Sequence, residues 1–81
     1  MSESVSAEAA EQLVQDVSNW YAEQIMKEQR APEAVPERLK TLKEELAVCA
    51  ADLRALQDAG PEEVDAIAAR YAARSQELGG Q

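Results

Sequence analysis

Three observations on this 81-residue chain predict an all-α fold. From Val35 to Leu56 the residues Val35, Leu39, Leu42, Leu46, Cys49, Leu53 and Leu56 recur at alternating steps of four and three, which keeps their side chains on one stripe of a helix. No run alternates with a period of two through β-branched residues, and no Asn-Gly or Asp-Gly hairpin turn occurs. Finally, 16 residues are alanine, which favours helix and lets helices approach closely while burying little area. The expected architecture is an antiparallel three-helix bundle, or a helical hairpin with a coiled-coil-like seam, in one domain spanning residues 1–81. A core this small needs tight helix packing or a partner to be stable.

The first helix is expected over about residues 6–29, after a frayed lead-in at residues 1–5. Ser4 or Ser6 can cap it by accepting a hydrogen bond from a free amide of the first turn. Glu8 and Glu11 suit the positive end of the helix dipole. Ala10, Leu13 or Val14, Val17, Trp20 or Tyr21, and Ile25 then repeat at helical spacing. Trp20 and Tyr21 are adjacent, so only one can point to the centre of a seam; the reading adopted puts Trp20 in the core with Tyr21 flanking it.

Pro32 and Pro36 bracket a loop at residues 30–35. Proline is favourable at the first position of a helix, where its missing N–H has no intrahelical partner to lose. The second helix is therefore expected from Pro36 to about Ala59, with Val35 stapled against it. Gly60 can close a helix in the left-handed conformation, and Pro61 can open the next. The third helix is expected over about residues 61–78, carrying Val64, Ile67, Ala68, Tyr71, Ala72, Ser75 and Leu78 on one face, with Arg70 and Arg74 toward its negative end. Residues 79–81 form a flexible tail. On this reading the second helix is the spine, with the other two laid against it.

Sixteen acidic residues against eight basic ones give a formal net charge of −8. That field repels phosphate backbones, so nucleic acid is not expected as a partner; the charge is read first as a source of solubility, with a match to a basic protein partner as the alternative. No stretch approaches the ~18 apolar residues of a membrane span, and the opening residues lack the basic start and apolar core of a secretory leader. A cytoplasmic location follows as the expectation, with arginine and alanine usage pointing to a GC-rich bacterial genome.

Charges beside the leucine stripe bear on its use. With Leu39, Leu46 and Leu53 at a positions, the g residues are Arg38, Glu45 and Asp52 and the e residues are Lys43, Ala50 and Gln57. In a parallel homodimer Arg38 would face Lys43, a repulsion, so an antiparallel or intrachain arrangement is expected. The chain has no histidine and one cysteine. A Cys–His pair cannot form, and most zinc sites are excluded. Cys49 lies on the stripe, where a thiol acts as a small hydrophobe. The pairs Glu44-Glu45 and Glu62-Glu63 fall on outer faces or at a helix start, where carboxylates are solvated and lack the pocket that general acid chemistry needs. No catalytic residue, cofactor or metal ligand is expected.

The chain's last residues, Gly79-Gly80-Gln81, follow an acidic helical stretch containing Tyr71. This ending resembles that of Pup, the prokaryotic ubiquitin-like protein family of actinobacteria. The resemblance implies that Gln81 could be deamidated and joined through its side chain to lysines of target proteins. Two glycines would supply the unbranched, extended tail such chemistry needs. The residues as a whole point instead to a small acidic interaction module acting by noncovalent helix packing, as an adaptor, co-chaperone, regulator or minor subunit, on another protein or a second copy. The candidate contact residues are Trp20, Tyr21, Leu39, Leu42, Leu46, Leu53, Leu56 and Tyr71.

Overall fold

The computed structural model describes residues 6–79, which form three α-helices and no strand: α1 Ala7–Arg30, α2 Pro36–Asp58 and α3 Pro61–Gly79. The all-α class is as expected, and each helix end falls within one residue of its predicted place. The lead-in at residues 1–5, with Ser4 as a cap, and the tail residues Gly80 and Gln81 lie outside the described residues; Gly79 closes α3.

Local chemistry sets the boundaries. Ser6 caps α1, its Oγ accepting from the Ala9 amide at 3.1 Å, which satisfies one of the first-turn donors. At the other end the Ala31 amide returns to the Lys27 and Glu28 carbonyls. Glu28 then reaches across the loop and accepts from the Val35 amide at 3.2 Å. Pro36 occupies the first turn of α2, and Val35 stands before it in extended backbone.

The α2–α3 break differs from expectation. No described glycine has a positive φ, so Gly60 does not close α2 in the left-handed conformation. Ala59 ends the helix with extended backbone (φ −75°, ψ 141°). The Gly60 carbonyl accepts from the Val64 amide at 3.0 Å, so Gly60 begins α3 instead. Pro61 is the physical reason, because the residue before a proline is steered out of the helical region.

The helices run up, down and up, and α1 rather than α2 is the spine. It packs along both other helices, whereas α2 and α3 have few close backbone approaches. On α2, Leu42 and Leu56 are buried in the core, Leu46 and Leu53 pack against it, and the flank toward α3 carries acids. The core consists of Ala10, Val14, Val17 and Tyr21 from α1, Leu42, Cys49 and Leu56 from α2, and Val64, Ile67, Ala68 and Tyr71 from α3.

The stripe from Val35 to Leu56 therefore divides in two. Leu42, Cys49 and Leu56 are buried, Leu46 and Leu53 are half-buried against the core's edge, and Leu39 is half-buried without packing on the core. Val35 is 50% exposed. It precedes the first helical residue, so its side chain leaves the register and does not staple to α2. On α3, Ala72 and Ser75 are exposed although their spacing matches the buried face.

The aromatic pair is also reversed. Tyr21 is buried at 5% exposure and Trp20 is half-buried beside it. Tyr21 continues the buried series Ala10, Val14, Val17 at steps of four, three and four, and it can sit inside because a polar partner meets its hydroxyl. Trp20 flanks it edge-on, with ring centroids 5.3 Å apart and planes at 85°, a favourable aromatic geometry.

Candidate functional site

The flank of α2 facing α3 presents Glu45 and Asp52, two turns apart on the side of the buried row Leu42, Cys49 and Leu56. Across from them α3 carries Arg70, Tyr71 and Arg74. Because the two helices are antiparallel, the residue nearer the α2–α3 joint on one meets the residue nearer it on the other. The Tyr71 hydroxyl donates to Asp52 Oδ2 at 2.5 Å, and Arg70 Nη2 lies 3.5 Å from Asp52 Oδ1. One helical turn further along, Arg74 Nη1 lies 3.5 Å from Glu45 Oε2 and donates to the Tyr21 hydroxyl at 2.6 Å. One arginine thus ties all three helices together. Arg70 and Arg74 therefore engage acids of α2 across the seam, in addition to lying toward the negative end of α3 as expected. Glu45, expected on an outer face, is half-buried by the same contact.

These side chains frame a narrow cleft of about 80 Å³ between α2 and α3, with Val17, Val48 and Cys49 completing its lining. The two acids balance the two arginines, so the cleft presents no net charge to a ligand. Among the described residues no buried side-chain nitrogen or oxygen lacks a hydrogen-bond partner, as is usual for a folded core. No group of three or more His, Cys, Asp or Glu side chains there could hold a metal ion.

Burial raises the Tyr71 hydroxyl well above its ordinary value of 10.0, and its contacts with Asp52 and Cys49 raise it further. Burial likewise raises the Cys49 thiol above 9.0, with the Asp52 and Glu45 carboxylates adding to the rise and Tyr71 and Arg74 opposing it. Both groups hold their protons more tightly folded than unfolded. Their contribution to stability is therefore fully present below about pH 9 and declines as pH rises through and beyond the ordinary values, because the unfolded chain ionises first. Urea midpoints measured from pH 7 to pH 11 should fall steeply on the alkaline side for the native chain. In Tyr71→Phe that decline should be shallower, leaving chiefly the part due to Cys49.

The residues expected to contact a partner are distributed unevenly. Tyr21, Leu42, Leu56 and Tyr71 are in the core; Trp20, Leu39, Leu46 and Leu53 are half-buried. Leu39 forms the wall of a shallow groove of about 490 Å³ on the outside of α2, together with Pro36, Lys40, Lys43, Glu44 and Ala47. Trp20 lines a second groove of about 270 Å³ between α1 and the end of α3, with Asp16, Val17, Ser75, Leu78 and Gly79. Sequence reasoning missed the clasp formed by Glu45, Asp52, Arg70 and Arg74. A signal was present: both acids occupy g positions seven residues apart, and an antiparallel third helix brings its arginines opposite them. No family model, no curated protein and no solved structure matches this chain. None of the helices is long and apolar enough to cross a membrane among the described residues.

Proposed function

We propose that this chain is a small acidic interaction module that binds another protein by noncovalent helix packing. The observation that carries this reading is the α2 groove. Leu39 remains half-buried at the bundle's edge after the core has closed, and the exposed Ala47 and Pro36 continue an apolar wall beside it. Lys40, Lys43 and Glu44 rim that wall. An apolar strip with charged borders is the surface that an amphipathic helix of a partner can cover, its anchors spaced by turns. The groove's cationic rim favours acidic residues flanking the apolar face of such a helix, although the chain as a whole is acidic.

Ala47→Arg tests the assignment, because Ala47 is exposed and arginine is a good helix former. The helical signal and urea midpoint should stay unchanged while capture of a stoichiometric partner from the native host is lost. Removal of residues 79–81 should leave capture intact. The opposite pattern, or covalent adducts through Gln81, would replace this reading with a modifier role for the tail.

A further inference from the structure

The two contacts of α3 differ in kind. Along α1 it buries Val64, Ile67 and Ala68. Against α2 it is held by the polar bonds of Tyr71 and Arg70 to Asp52 and of Arg74 to Glu45. Those bonds can be exchanged for bonds to water at small net cost, especially the half-exposed ion pairs. Parting α1 from α2 would instead expose the buried Leu42 and Leu56 and uncover Leu46 and Leu53. The α2–α3 seam is also incompletely filled, since the 80 Å³ cleft runs along it over Cys49. The joint at Ala59 and Gly60 is non-helical, and no atom crowds Gly60 within 4 Å.

We propose that α3 is a strap that parts from α2 along this cleft, pivoting on the Ala59–Gly60 joint, while α1 and α2 stay packed. This opening, not global unfolding, governs access to Cys49. The inference is independent of the partner groove, which lies on the other side of α2. It makes α3 the low-stability cooperative unit of the fold, and the chain's single cysteine its built-in reporter, because Cys49 is 2% exposed when the strap is closed.

The experiment is the rate of Cys49 modification by a thiol reagent under native conditions, compared with the urea midpoint of the same protein. Asp52→Ala removes the partner of both Tyr71 and Arg70, and should accelerate labelling about tenfold or more, the scale of losing one charge-assisted hydrogen bond. It should do so beyond any change expected from its global stability. Leu46→Ala weakens the α1–α2 side and should lower the urea midpoint with the labelling rate unchanged. Labelling that follows global stability in both variants would overturn the proposal, as would native Cys49 reacting at the rate of a free thiol.

Discussion

Val14→Asp will leave the chain unfolded in neutral buffer at 25 °C. Val14 is the largest side chain shielded completely from solvent, on the helix that both others pack against. A carboxylate there is shut off from water, and burying a charge costs several kcal/mol. A domain this small has only a few kcal/mol to lose, roughly 3–5 from its core. Circular dichroism should show loss of the helical signal without added denaturant. Leu46→Asp provides the comparison: Leu46 is half-buried, so its carboxylate can turn to solvent and the variant should stay folded at a lower urea midpoint.

Tyr21→Ala will destabilise the fold by about 3–5 kcal/mol, the usual cost of truncating a buried aromatic. Trp20→Ala will cost less, although tryptophan is the larger residue, because Trp20 is only half-buried. Tyr21→Phe keeps the ring and loses only the bond from Arg74, a change of about 1 kcal/mol. Helical signal in plain buffer, followed by urea unfolding of the variants that remain folded, ranks the three, with Tyr21→Ala retaining the least folded chain. Equal losses at Trp20 and Tyr21, or a greater loss at Trp20, would contradict the packing of α1.

Much of this fold was legible in the residues because helices announce themselves locally. The Ser6 cap, the prolines at positions 36 and 61 and the alternating steps of α2 all act within a few residues of where they stand. The choice between neighbours was not local. Trp20 and Tyr21 differ by 100° of helical rotation, and what drew Tyr21 inward was Arg74, 53 residues away. The ranking of helices failed for a related reason. The regular leucine stripe made α2 look central, but regular spacing reports one good face, whereas a spine needs two. On α1 the second face is made by Leu13 and Trp20 beside the buried series, and it was read as ambiguity between adjacent residues. The clasp was missed because charges at g positions were weighed for a homodimer, whereas Glu45 and Asp52 meet arginines of their own chain.

The account rests on α1 being the helix that both others cover. Amide hydrogen exchange of the native protein, resolved residue by residue, tests this most directly. The slowest amides should lie in α1 around Val14, Val17 and Tyr21, and those of α3 should exchange first among the three helices. Slowest exchange in the middle of α2 around Leu46 to Leu53, with α1 exchanging earlier, would contradict it.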